Sequence, residues 1–254
     1  MKFTSNLLLI VLSTVVLTSC ASTKNNAIYD NGIVISDPME EANRQVMAFN
    51  QAVDKAVINP IVTGYRAITP KPARSGIRNF LRNLKSPIIL ANQLLQGDIQ
   101  GSRDALLRGI INTTIGIGGI FDVAGYEGIE YEAEDFGQTL AVWGVGYGPY
   151  MVLPFIGPSS LRDYGGYLAD GFADPVRLHL FKHDNEWLYA GKFTADYLDL
   201  RESLIDTLTE IEASSIDYYA AVRSTYYQHR EALIHDKDSL AQSSMPAFPY
   251  YEDE

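Results

Sequence analysis

The side chains best suited to covalent or metal chemistry in this sequence are few: one cysteine, Cys20, and four histidines, among them His179 and His183. Those two histidines are four residues apart, which puts both rings on one face of a helix, the spacing of paired metal ligands. The intervening Leu180-Phe181-Lys182 supplies no acidic base, and no third ligand is evident. There is no Gly-x-Ser-x-Gly elbow and no His-Glu-x-x-His, so the residues of a serine hydrolase or a zinc peptidase are not in place. Gly116-x-Gly118-Gly119 lacks the third spacing of a dinucleotide loop, and no Gly-Lys-Ser/Thr occurs anywhere, which leaves nucleotide binding unsupported. The expectation is a protein that is not an enzyme, with no metal and no cofactor.

Cys20 has a different chemistry. Lys2 precedes an apolar run from Leu7 to Leu17 that is too short to cross a membrane, and Leu17-Thr18-Ser19-Cys20 closes it with small residues before the thiol. Residues 1–19 read as a signal peptide whose end resembles a bacterial lipobox. In that reading Cys20 is diacylated on sulfur and becomes the mature N-terminus. As the only cysteine it has no intramolecular disulfide partner. Ala21 follows, where lipoproteins kept at the inner membrane usually carry Asp, and this points to the outer membrane of a Gram-negative cell. Several acyl chains anchor stably where one alone binds marginally.

Of the 254 residues, 46% are apolar and 20% charged, enough to bury a core; the formal net charge is −11 and the isoelectric point near 4.8. That balance removes nucleic acid as a partner, because phosphate binding needs clustered Lys and Arg. The chain divides into the leader, a polar acylated tether at 20–36, a helical domain at 37–235 and a flexible acidic tail at 236–254. Asp37-Pro38-Met39-Glu40 opens a helix, with Asp37 as cap and Pro38 at its first position. Ala42, Val46, Phe49, Val53 and Ala56 continue it at three- and four-residue spacing to about Asn59-Pro60. Further starts are read at Lys71-Pro72, at Ser86-Pro87 with Gly97 as the stop, and at Asp98. Tyr197, Leu200, Leu204, Leu208 and Ile211 mark a helix between 184 and about 213. Tyr219, Val222, Tyr226, His229 and Leu233 mark a last one, which Ser214 is placed to cap together with Asp217. The fold class is mainly α.

Two segments break this pattern. Residues 136–161, FGQTLAVWGVGYGPYMVLPFIGPSSL, carry no charge but five glycines and three prolines; 109–121 is likewise uncharged, and the acidic connector 127–135 separates the two. Neither can be a simple spanning helix. Irregular backbone lies at membrane depth only when buried in protein or lining a cavity. Hence the expectation of a helical body enclosing an apolar passage, the alternative being a glycine-rich core loop in a soluble fold. Between Ala56 and Gly97 there is no Asp or Glu, and Arg74, Arg78, Arg82 and Lys85 supply a basic helical face. Such a face suits anionic headgroups, or carboxylates elsewhere in the fold, or an acidic partner protein.

The residues Asp37-Pro38-Met39-Glu40, Asn43-Arg44, Phe49-Asn50, Pro72-Ala73-Arg74, Asn79-Phe80, Asn83-Leu84, Leu95-Gln96-Gly97, Phe121-Asp122 and Glu134 to Leu140 resemble the VacJ, or MlaA, family. The most diagnostic string is Gly144-Val145-Gly146-Tyr147-Gly148-Pro149-Tyr150, followed by Leu153-Pro154 and Leu161-Arg162-Asp163. The resemblance covers roughly residues 37 to 235. It implies an outer-membrane lipoprotein forming a ring-like helical bundle in the periplasmic leaflet around a central amphipathic channel, often beside a trimeric porin. Such proteins withdraw phospholipid that has strayed into the outer leaflet and pass it to a soluble periplasmic carrier, without covalent chemistry. On this resemblance the channel and lipid path are expected at Asn50, Gly144, Val145, Gly146, Tyr147, Gly148, Pro149, Met151 and Pro154, and headgroups at the Arg74 to Lys85 face. The alternatives are a structural, porin-associated envelope lipoprotein and a lipid hydrolase.

Overall fold

A computed structural model describes residues 27–30 and 33–235; Cys20, the leader and the 236–254 stretch lie outside the described residues. Ala27–Asp30 (β1) and Ile33–Ser36 (β2) pair antiparallel, with Ile28 opposite Ile35. Ile35 is 1% exposed and belongs to the core. The second half of the expected tether is therefore built into the fold, as the β-branched run Ile33-Val34-Ile35 favours.

Helix α1 spans Glu40–Val53, and its cap is Met39, with no side-chain cap bond. Asp37 is not a cap. It is buried, accepting hydrogen bonds from Asn43 Nδ2 at 3.0 Å and Tyr219 Oη at 2.6 Å and pairing with Arg223. A buried carboxylate is tolerable only with such partners, and these tie the start of the domain to its end. Instead of stopping at Asn59-Pro60, the chain makes a π-helical turn at Asp54–Ile58 and continues as α2, Asn59–Ile68. The widened turn displaces the carbonyl that the Pro60 ring would otherwise strike.

Helix α3 runs unbroken over Lys71–Gln96 with Pro87 inside it, so the two helices expected here are one. An interior proline costs about 3 kcal/mol. Burial of Leu81, Ile89, Asn92 and Gln93 along the same helix offsets it. Gly97, at φ +81°, stops α3 in the left-handed conformation, and Asp98 caps α4 (Ile99–Thr114) through Gly101 N–H at 2.8 Å. The expected irregular segment at 109–121 is thus helical to Thr114 and turns only afterwards, around Ile117, Gly118 and Gly119, all at positive φ.

Asp122 caps α5 (Val123–Tyr126) and Asp135 caps α6 (Phe136–Val142). Strands β3 (Tyr150–Leu153) and β4 (Gly157–Ser160) form an antiparallel hairpin, Tyr150 opposite Ser160. Helices α7 (Leu161–Ala173) and α8 (Pro175–Lys182) are capped by Ser160 and Asp174. Gly166 on α7 packs so closely on Gly137 that no side chain fits between α6 and α7. The two long C-terminal helices are α9 (Glu186–Ser214) and α10 (Tyr218–Ile234); Asp217, not Ser214, caps α10 through Ala220 N–H.

The core is small and rich in tyrosine: Ile35, Met47, Tyr150, Val152, Tyr219, Val222 and Tyr227. Many large apolar side chains are instead exposed, including Ile68 at 83%, Trp187 at 70%, Ile115 and Phe172 at 66%. Among the described residues no helix is long and apolar enough to cross a membrane.

Candidate functional site

A cavity of about 410 Å³ opens between α1, α3, the β3–β4 hairpin, α9 and α10. The apolar stripe of α9 explains it. In a filled bundle Tyr197, Leu200, Leu204, Leu208 and Ile211 would interdigitate with a neighbouring helix. Here all five line the cavity, and the only α9 residue that is buried is Glu202. Facing them are Met47, Asn50 and Val53 of α1, Val152, Phe155 and Pro158 of the hairpin, and Val222, Tyr226 and His229 of α10.

Along α9 the lining changes character. Asp196 and Asp199, with Arg78 and Arg82 of α3, stand at one end, and Leu204, Leu208 and Ile211 at the other. At 1.5 Å per residue this gradient covers roughly 22 Å, more than the ~15 Å hydrocarbon share of one leaflet. Between them Arg201 pairs with Asp54 at 2.5 Å. Burial pushes the carboxyls of Asp54 and Asp199 up, against the opposing pull of Arg201 and Arg78, and burial together with Arg230 pushes His229 down.

The basic face of α3 meets the acidic face of α9. Arg74 pairs with Glu202; Arg78 bonds Asp199 at 3.1 Å and Glu202 at 2.7 Å; Lys85 reaches Asp196 at 3.0 Å; and Arg66 of α2 adds pairs with Glu202 and Asp206, each at 2.9 Å. Arg74, Arg78 and Lys85, expected at headgroups, are held by carboxylates of the same chain. The three- and four-residue spacing that gives α3 its basic face also sets Asp199, Glu202 and Asp206 on one face of α9. Arg82 differs: its guanidinium lies 4.7 Å from the centre of the Tyr131 ring.

Asn50 lines the cavity and holds the hairpin turn, donating from Nδ2 to Leu153 O at 2.9 Å and accepting at Oδ1 from Phe155 N–H at 2.9 Å. Asn43, two turns earlier on the same face of α1, does the same for β3 through Tyr150 O and Val152 N–H. Two amides at i and i+7 thus replace the missing third strand. That spacing is visible in the sequence, but nothing there says that a strand lies opposite.

The remaining expected channel residues do not line this cavity. Gly144, Val145, Gly146 and Gly148 form an exposed turn in which Gly144 and Gly148 take positive φ; Pro154 is also exposed, and Pro149 and Met151 are half-buried. Tyr147 packs edge-on against Tyr227 at 4.8 Å and under Arg162 at 3.9 Å. The strand period explains the difference: Tyr150 and Val152 point into the protein while Met151 and Leu153 alternate away. Phe155 and Ile156 at the hairpin tip, not singled out by sequence, take the place at the wall.

Two further carboxylate clusters brace the site. Arg230 of α10 bonds Asp135 at 2.6 Å and Asp163 at 3.1 Å, and Tyr226 donates to Asp163. Arg108 and Asn112 hold Asp122 at 2.8 and 2.9 Å. Burial alone would raise both caps, but the Arg230 and Arg108 guanidiniums hold Asp135 and Asp122 below the usual carboxylate range. The rings of His179 and His183 lie 4.6 Å apart, and among the described residues no group of three His, Cys, Asp or Glu could hold a metal.

The family profile described as MlaA lipoprotein matches residues 35–233. The chain is 35% identical over 249 residues to the intermembrane phospholipid transport system lipoprotein MlaA of Escherichia coli K12, covering 96% of this chain and 94% of that protein. It is 28% identical over 243 residues to the protein of the same name from Haemophilus influenzae, covering 92% of each. A solved structure, "Structural basis for maintenance of bacterial outer membrane lipid asymmetry", superposes with a TM-score of 0.70 at 36% identity, over 78% of this chain and 99% of that one. With a profile that spans residues 35–233 and relatives covered over more than nine-tenths of their length, the chain belongs to the MlaA lipoprotein family.

Proposed function

We propose that this protein is an outer-membrane lipoprotein that withdraws mislocalised glycerophospholipid from the outer leaflet through the α1–α3–α9–α10 cavity and releases it on the periplasmic side, maintaining lipid asymmetry. The observation that carries the reading is the cavity's lining, charged at one end of α9 and apolar at the other. Moving a headgroup across hydrocarbon costs free energy because its polar atoms lose water, and a passage with polar groups at one end removes much of that cost while the acyl chains stay in apolar surroundings. The exposed Ile68, Ile115, Phe172 and Trp187 suit a body seated in one leaflet, where such side chains meet lipid rather than water. The names of the relatives point to the same activity.

In this reading Cys20 carries the acyl anchor, a trimeric porin flanks the body, and a soluble periplasmic carrier takes the lipid. The passage is passive; net direction comes from the carrier's affinity. No bond is made or broken. The test is outer-leaflet phospholipid in cells without this gene, restored with the wild type, with Cys20→Ala and with a cavity-filling variant. The proposal expects surface phospholipid to rise on deletion and to fall only with the wild type. Normal asymmetry after deletion would leave a purely structural lipoprotein.

A further inference from the structure

Where α2 and α3 meet α9, five cations, Arg66 of α2 and Arg74, Arg78, Arg82 and Lys85 of α3, face four carboxylates, Asp196, Asp199, Glu202 and Asp206. Four of the cations are bonded to those acids, and Lys192 shares Asp196 as well. Among the described residues Arg82 makes no ion pair. Asp199 feels its charge but is hydrogen-bonded by Arg78. Arg82 is thus the cation of this group that no carboxylate bonds, and it stands at the cavity wall.

What Arg82 does contact is an aromatic face. Its guanidinium lies over the Tyr131 ring, and the ring of the same residue is 5.6 Å from Arg108. A ring against one guanidinium face leaves the edge N–H groups free, and those donate two parallel hydrogen bonds to a pair of oxygens. A small cavity behind Arg82 is lined by Asn79, Asn83, Arg108, Tyr131 and Asp122, whose carboxylate is already held by Arg108 and Asn112. The apolar α9 stripe begins one turn further along the same wall.

We propose that Arg82 is the headgroup-binding residue inside the passage, taking the phosphodiester of a glycerophospholipid on its guanidinium edge while the acyl chains lie along Leu200, Leu204 and Leu208. The proposal rests on the reading of the cavity as a lipid path. A phosphodiester monoanion matches the unpaired charge of Arg82, and its two non-bridging oxygens match the guanidinium fork. Tyr131 acts as a positioning residue that holds the fork toward the cavity.

The full chain, purified in a maltoside detergent, is titrated with dioctanoyl phosphatidylethanolamine, with dioctanoylglycerol, which has the same chains and no phosphate, and with inorganic phosphate. The wild type should prefer the phospholipid to the diacylglycerol by on the order of ten-fold or more, as a charge-assisted hydrogen bond implies. Arg82→Gln should bring the two to parity with diacylglycerol affinity unchanged, and Arg82→Lys should keep part of the preference. A preference that survives in Arg82→Gln overturns the proposal, and so does an absent preference in the wild type, a measurement that needs no variant to fold. Displacement of the phospholipid by equimolar inorganic phosphate would assign the site to free phosphate and also overturn it. Failure of both lipids to bind the wild type would remove the lipid path itself, whereas equal binding of both removes only the role of Arg82.

Discussion

Phe155 donates its backbone N–H to Asn50 Oδ1 at 2.9 Å, at the tip of the β3–β4 hairpin and at the wall of the cavity. Phe155 takes φ +65°, a conformation that a bulky side chain seldom adopts, and Phe49 packs edge-on against its ring at 5.6 Å. A side-chain amide thus holds a strained turn at the cavity wall.

Asn50→Ala removes both hydrogen bonds to that turn. The expected stability loss is about 1–3 kcal/mol, with faster amide exchange confined to Leu153–Gly157. Exchange mass spectrometry on wild type and variant reads the second effect directly. Unchanged protection at Phe155 would show that the turn is held by other contacts.

The cavity proposed as the passage is lined by α9 and not by the glycine turn. Leu204→Arg, at the apolar wall, should leave outer-leaflet phospholipid as high as gene deletion does. Val145→Arg, on the 45% exposed turn, should restore asymmetry like the wild type. Surface phospholipid extraction from complemented cells separates the two. The reverse pattern would return the passage to the glycine-rich string.

Glu202 is 5% exposed and receives Arg66, Arg74 and Arg78. Glu202→Gln leaves three guanidiniums short of a buried counter-charge, and removing one partner from such a pair costs about 3–5 kcal/mol. Chemical denaturation should show that loss. Asp206→Asn, whose side chain is 70% exposed, should change stability by less than about 1 kcal/mol.

Two adjacent glycines of α7 should behave oppositely. A Cβ on Gly166 would strike the Gly137 backbone, so Gly166→Ala should separate α6 from α7 and lower Tm. Gly165 is exposed and has nothing within 4 Å of the added carbon. Gly165→Ala should gain up to about 1 kcal/mol from helix propensity.

Asp135 and Asp122 have folded-state carboxyls below their ordinary value of 3.8. A depressed carboxylate contributes stability that is complete above the unfolded value and lost as pH falls through the folded one. The Tm difference between wild type and Arg230→Gln should therefore be greatest above 3.8 and shrink below it. Asp54 and Asp199, raised by burial, act in the opposite sense and at higher pH, since protonation relieves their desolvation. Asp199→Asn should abolish that gain in thermal scans run from neutral to about pH 4.

Local features were legible in the sequence by itself because they depend on residues a few positions apart. The stop at Gly97, the cap at Asp98 and the apolar periods of α9 and α10 all follow from spacing, propensity and backbone sterics. Short-range rules also misled where a distant partner outbid them: Asp37 left its cap for Arg223 and Tyr219, and Pro87 stayed inside α3 under packing. The basic face of α3 was legible as a face, but only the tertiary structure decided that α9 neutralises it, leaving Arg82 over. The α9 stripe likewise says that an apolar surface exists, not whether side chains or empty space lie against it. That is settled by how far apart α1, α3 and α10 are held, a distance between elements that no periodicity along one element encodes.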